Sequence, residues 1–202
     1  MNSESNVKKT LVRLCTVLAA AGCLFSFAGC ADGSVSDASA IDASLLSFEP
    51  TVYYARDGRI RFMYDSETDM LSALEGYDMA ALYAGSVYSM VFSYTEGTLT
   101  RAEADAAVKA EFDAGDVMAL SSKSKAVQVD GHTFRRAEIT CSDGSVGAVL
   151  YGSTETGFAE IYYLLSPDAG EDAAAHVEEI LSTVRLTEFE GDTDDIQKIF
   201  AE

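Results

Sequence analysis

Residues 126–165, AVQVDGHTFRRAEITCSDGSVGAVLYGSTETGFAEIYYLL, decide the fold. Asp130-Gly131 and Asp143-Gly144 supply the positive φ angles that tight hairpin turns require, and each lies between runs that favour extended chain. The spacing predicts four antiparallel strands over 126–129, 133–141, 146–151 and 158–165, with 154–157 as the last turn. In the second strand Ala137, Ile139 and Cys141 share one side and Arg136, Glu138 and Thr140 the other, so one face is expected to be buried. Residues 158–165 are apolar on both sides. That strand is expected at the centre of the sheet, covered on both faces.

Working outward, residues 51–55 and 59–64 flank Asp57-Gly58 and read as a further hairpin. Residues 86–95, with Tyr88, Met90, Phe92 and Tyr94 on one side and Val87 and Val91 on the other, read as another strand. Two helices are marked. Thr100 with Glu103 forms a capping box ahead of 102–114, where Val108 and Phe112 give the apolar stripe. Pro167 opens the second, in which Ala173, Val177, Ile180, Leu181 and Val184 recur at helical spacing. Residues 66–85 admit two readings: Ser66 with Asp69 caps a short helix through Leu74, and 79–84 is either helix or strand. Ile196, Ile199 and Phe200 suggest a short C-terminal amphipathic helix.

The chain begins differently. Lys8, Lys9 and Arg13 precede an apolar run from Leu11 to Gly29, the layout of an export signal. Phe27-Ala28-Gly29-Cys30 resembles the lipobox of bacterial lipoproteins, in which the Cys thiol is diacylglycerylated and becomes the new N-terminus. Ala20-Ala21-Gly22-Cys23 is a second match. Cys30 is preferred as the lipid-attachment residue because Ala31-Asp32-Gly33-Ser34 is a polar start, whereas Cys23 leaves apolar residues exposed. The alternative is an uncleaved signal anchor. Residues 1–29 are thus expected to be a signal peptide. Residues 30–47, rich in Ser, Ala, Asp and Gly, form a tether to the extracytoplasmic face of the cell membrane.

The whole chain carries a formal charge of −19, and the signal peptide removes three basic residues and one acid, so the exported part is more acidic still. Such a surface repels nucleic acid, which is excluded as a partner, and anionic head groups. Once Cys15 and Cys23 are removed and Cys30 is acylated, Cys141 is the one free thiol, and no intramolecular disulfide forms.

The order hairpin, strand, helix, meander, helix resembles the PsbP-like family. The local features are Val129-Asp130-Gly131-His132-Thr133-Phe134 and the helix end Ile180-Leu181-Ser182-Thr183-Val184-Arg185-Leu186. The resemblance implies an α+β fold over 48–187, an antiparallel sheet flanked by helices as an α/β/α sandwich. It also implies binding and assembly roles, with no shared catalytic residue and no cofactor. Residues 188–202 remain as an acidic tail with the short helix.

Cys141 and His132 are the one pair that suggests nucleophilic catalysis. They sit at the two ends of one predicted strand, roughly 30 Å apart, beyond the hydrogen-bond reach that activates a nucleophile. His132 and His176 lack zinc-ligand spacing, and His176 beside Glu179 reads as solvated surface. Glu188, Glu190, Asp192, Asp194 and Asp195 lack the regular spacing of a calcium loop and read as a charged tail. Arg56, Arg59, Arg61, Arg135 and Arg136 fall on two predicted hairpins, either as an anion-binding patch or as cross-strand partners of acids such as Glu138. Arg135, sharing a side with Ala137 and Ile139, is expected to cover the buried face with its stem. Tyr53, Tyr54, Tyr162 and Tyr163 read as half-buried sheet residues. No catalytic, cofactor or metal residue is assigned, and the chain is read as not an enzyme. The expected function is a cell-envelope lipoprotein that binds a protein partner or membrane complex; the alternative is a small-ligand or ion-binding lipoprotein.

Overall fold

The computed structural model describes residues 45–54, 59–73, 79–113 and 118–186. The strands are β1 (Pro50–Tyr54), β2 (Arg61–Asp65), β3 (Met70–Ala73), β4 (Met79–Ala84), β5 (Tyr88–Glu96), β6 (Met118–Val129), β7 (His132–Cys141), β8 (Val146–Ser153) and β9 (Gly157–Leu165). The helices are α1 (Arg101–Asp113) and α2 (Glu171–Ser182). β1 and β2 pair as a separate two-stranded sheet. The others form one sheet in the order β3-β4-β5-β9-β8-β7-β6, each neighbouring pair antiparallel.

The meander of four strands is present, and β9 is the middle strand of seven with all residues from Gly157 to Tyr163 buried. Its two apolar sides require cover from both layers. On one side Met90, Phe92, Ala148, Leu150, Ala159 and Ile161 meet Val177, Ile180 and Leu181 of α2 and the β1–β2 hairpin, where Phe62 stacks on Phe92 with ring centroids 3.9 Å apart. On the other side Val91, Ala137, Ile139, Val149 and Tyr162 meet Ala104, Val108 and Phe112 of α1. Each large apolar side chain so enclosed contributes about 1.5–3 kcal/mol. The sheet therefore has a helix on each face. Because a two-stranded sheet shares the α2 layer, strand makes up most of the structure, and an α/β/α sandwich describes it only loosely.

Local sequence explains most boundaries. Asp130 at φ 49° and Gly131 at φ 76° make the β6–β7 turn. Thr100 caps α1: its backbone N–H and hydroxyl both donate to Glu103 Oε2, at 2.8 and 2.7 Å. β6 runs further back than expected, to Met118, with an irregularity between Leu120 and Ser124. That break and the lysines at 123 and 125 suit the last strand of a sheet, where they discourage pairing with another chain.

Two expectations are corrected and one open choice, at 79–84, is decided. Residues 66–68 form a turn instead of a helix start, because the Asp65 carboxylate accepts the Glu67 N–H (2.9 Å) and the Thr68 hydroxyl (3.0 Å), and the chain then returns as β3. Residues 79–84 are strand, since Ala80 and Leu82 face one core and Ala81 the other. Pro167 lies in a turn before α2, whose N-cap is Gly170, and Val184 lies beyond the helix end. The signal segment with Cys23 and Cys30, the turn at Asp57-Gly58, Arg56 and the acidic tail lie outside the described residues. No described helix is long and apolar enough to cross a membrane.

Candidate functional site

Two buried polar clusters lie where the helices meet the sheet. Beneath α1, strand pairing sets Ser93, Glu160, Tyr151 and Arg135 side by side across β5, β9, β8 and β7. The helix answers with Asp105 and Glu111. Asp105 Oδ1 accepts the Tyr151 hydroxyl at 2.9 Å and pairs with Arg135 Nε at 3.1 Å, while Arg135 also donates to the Ser124 hydroxyl. Glu160 is hydrogen-bonded to Glu111. Burial pushes its carboxyl well above the ordinary carboxylate range, and the adjacent Glu111 charge pushes it further. Burial thus favours the neutral form of Glu160. Burial and the bond to Asp105 also raise the Tyr151 phenol.

Beneath α2 the pairing is between opposite charges. The loop before β3 places Asp69 with its side chain fully enclosed, and His176 of α2 reaches it through Nε2, 3.0 Å from Oδ2 and 3.3 Å from Oδ1. The Tyr88 hydroxyl and the Asp65 backbone N–H donate to the same carboxylate. Burial works against the Asp69 charge, but the bonds from His176, Tyr88 and the Asp65 backbone outweigh it and hold the carboxyl below its usual value. The bond to Asp69 raises His176 against the opposing effect of burial. Burial, then the bond to Asp69, raises Tyr88, which stays protonated. Phe48 closes the cluster edge-on to the imidazole, ring centroids 4.9 Å apart.

A second link lies nearby. Arg136 on β7 holds Glu178 of α2 with Nη2 2.6 Å from Oε1 and Nη1 3.3 Å from Oε2, bonds the Tyr163 hydroxyl at 2.5 Å, and lies over that ring. Such forked geometry fixes the helix angle as well as adding charge attraction.

These contacts revise the reading of several residues. His176 is half-buried and bound to Asp69, not solvated surface: the partner comes from a loop 107 residues away, which local spacing does not reveal. Arg135 and Arg136 point to opposite faces of the sheet, toward Asp105 and Glu178, as alternation along a strand requires. Arg59 pairs with Glu96 at 3.2 Å and covers the Tyr94 ring, and the backbone of Arg61 pairs with Arg185. The described arginines are thus not gathered into one patch. Arg135 lies on the α1 face as expected. His132 and Cys141 end β7 on opposite sides of the register, and Cys141 is buried with Ile139 against the α1 layer. Tyr162 and Tyr163 are more buried than expected. Among the described residues no group of three or more His, Cys, Asp or Glu side chains is arranged to hold a metal ion.

The carboxyl pair was missed from the sequence. A signal for it existed: Glu160 is the single charge in a strand otherwise apolar on both sides.

Chemically, the clusters hold protons and charge at the helix–sheet joints. His176 and Tyr88 bond one carboxylate, and Glu160 lies against Glu111, so each group is engaged by a partner within its cluster.

Comparison with known proteins gives a fold and no family. No protein-family model matches the chain. No curated protein matches it. The solution structure of cyanobacterial PsbP (CyanoP) from Synechocystis is similar with a TM-score of 0.53 at 12% identity, covering 74% of this chain and 98% of that one. A crystal structure from Bacteroides thetaiotaomicron is similar with a TM-score of 0.47 at 10% identity, over 77% of this chain and 58% of its own. The protein accordingly has a PsbP-like fold, built of antiparallel sheets with two helices.

Proposed function

We propose that the protein is a cell-envelope lipoprotein, anchored through acylated Cys30 on the extracytoplasmic face of the membrane, whose domain over 48–187 is a non-catalytic binding or assembly module for a protein partner. Residues 1–29 are its export signal and 30–47 its tether, and the domain is a member of the broader group of α/β/α sandwiches built on the PsbP-like plan. The observation that carries this reading is the engagement of the polar side chains. His176 with Asp69, Arg136 with Glu178 and Arg135 with Asp105 join helix to sheet, which suits a rigid body that presents surfaces.

The test is in two parts on the full chain in its cell. Intact mass of the detergent-extracted protein is expected to show acyl groups on a chain beginning at Cys30; a Cys30→Ser protein that still carries them overturns the anchor. In-cell cross-linking is expected to capture a reproducible membrane partner that is lost with a secreted Cys30→Ala form. Capture of no protein by the anchored form overturns the module.

A further inference from the structure

The large apolar side chains that stay exposed among the described residues are Leu45 at 78%, Met70 at 58%, Val146 at 44% and Val87 at 40%. The topology brings three of them to one end of the large sheet. Met70 opens β3 and pairs with Tyr83 near the end of β4. Val87 lies in the β4–β5 turn, where its carbonyl accepts the Ser166 N–H at 2.9 Å. Val146 opens β8 opposite Leu165, which pairs in turn with Tyr88. Leu45 belongs to the segment that arrives at this same end, because β1 starts there with Pro50 opposite Asp65. Just before it, Ser47 bonds Glu179 Oε2 at 2.7 Å and Phe48 packs on His176.

The loops around these side chains carry one sign of charge. Segments 65–69, 84–87, 142–145 and 166–172 hold Asp65, Glu67, Asp69, Asp143, Asp168, Glu171 and Asp172 and no Lys or Arg. Asp69 is enclosed and bound to His176, but Glu67, Asp168, Glu171 and Asp172 are exposed. The opposite end differs, with Arg59 paired with Glu96 at 3.2 Å.

We propose that this end of the sheet, with Met70 on the edge strand β3, Val87 in the β4–β5 turn and Val146 on β8 spaced along it among acidic loops, is the docking surface for a membrane-associated protein that presents apolar residues flanked by basic ones. The inference rests on the lipoprotein reading, and it adds the surface and the partner's chemistry. Exposed apolar side chains gain by burial against a like patch, and a rim of uniform sign selects a partner of opposite sign and speeds the encounter. The same rim repels an anionic bilayer, so a protein is the occupant favoured over lipid head groups. The tether acts in the same direction. Fifteen residues from Cys30 to Leu45 span at most about 50 Å, which keeps this end close to the membrane and raises its effective concentration there.

A photo-crosslinking residue placed at Val87, and separately at Glu155 on the opposite end, in the anchored full-length protein in its own cells tests this. The expected result is one protein adduct from Val87, absent from Glu155, whose cross-linked segment is apolar with flanking Lys or Arg. Adduct yield is expected to fall at least about fivefold both with Met70→Ser/Val146→Thr and with Glu67→Lys/Asp168→Lys/Asp172→Lys. These residues are exposed, and an unchanged melting curve confirms the fold. An adduct from Glu155 and none from Val87 overturns this surface and leaves the module reading standing. Adducts to lipid alone, or an adduct that survives the charge reversal, overturn the partner chemistry. No adduct from either position overturns both.

Discussion

The two faces of the large sheet are closed by helices of similar length but by opposite electrostatics. Under α2, His176 meets Asp69 and Arg136 meets Glu178, each cation with its anion. Under α1, Arg135 meets Asp105, but Glu160 meets Glu111, a pair of acids in which burial and the neighbouring charge both disfavour ionised Glu160. Removing one partner of an opposite-charge pair strands the other charge, whereas neutralising one of two buried acids relieves a conflict. Removing Asp69 and neutralising Glu160 should therefore change stability with opposite signs.

The largest expected effect is on the α2 side. Asp69→Ala deprives His176, the Tyr88 hydroxyl and the Asp65 N–H of their acceptor, and a loss of about 3 kcal/mol in urea unfolding at pH 6 is expected. A loss below about 1 kcal/mol would mean that apolar packing alone seats α2. Arg136→Met should lose less, about 1–2 kcal/mol, because Glu178 is partly exposed and water compensates some of what it gives up. On the α1 side Glu160→Gln should gain about 1 kcal/mol at pH 8. The smallest effect is Thr100→Ala, which removes the cap bonds to Glu103 and should speed amide exchange only in the first turn of α1.

The pH dependence sharpens the contrast. His176 is raised in the fold, so its contribution is complete below its ordinary value near 6.5 and is lost as pH rises through the folded value. Asp69 is lowered, so its contribution is present above about 3.8 and is lost as pH falls below that. Glu160 is raised, so it becomes a burden once pH passes the ordinary carboxylate range, where the unfolded chain ionises and the fold does not. His176 and Glu160 therefore both make stability fall from mildly acid to alkaline pH. Only the Glu160 part should vanish in Glu160→Gln.

The meander was legible because its turns are written in adjacent residues: Asp130-Gly131 and Asp143-Gly144 fix two hairpins, and alternation along β7 assigns its faces. The capping box at Thr100 was legible for the same reason. Residues 66–73 were not, because Asp65 and Asp69 serve a turn and a distant histidine, and both uses look locally like a helix cap. The candidate clusters were hidden by sequence distance. His176 and Asp69 lie 107 residues apart, and Arg136 and Glu178 lie 42 apart; nothing near either residue names its partner. The apolar, acidic end of the sheet needed the strand order, since its residues come from four separate loops.

The claim on which this account turns is that the two helix–sheet joints are electrostatically opposite, with paired groups fastening α2 and the buried carboxyl pair straining α1. Urea unfolding of the purified protein and its Glu160→Gln form from pH 5 to pH 9 tests it most directly. The account predicts that the native protein loses stability as pH rises, that the variant loses less, and that the variant is the more stable of the two at pH 8. A variant less stable than the native protein throughout that range would contradict it, because the carboxyl pair would then be a net contributor to the fold and not a tolerated strain between α1 and β9.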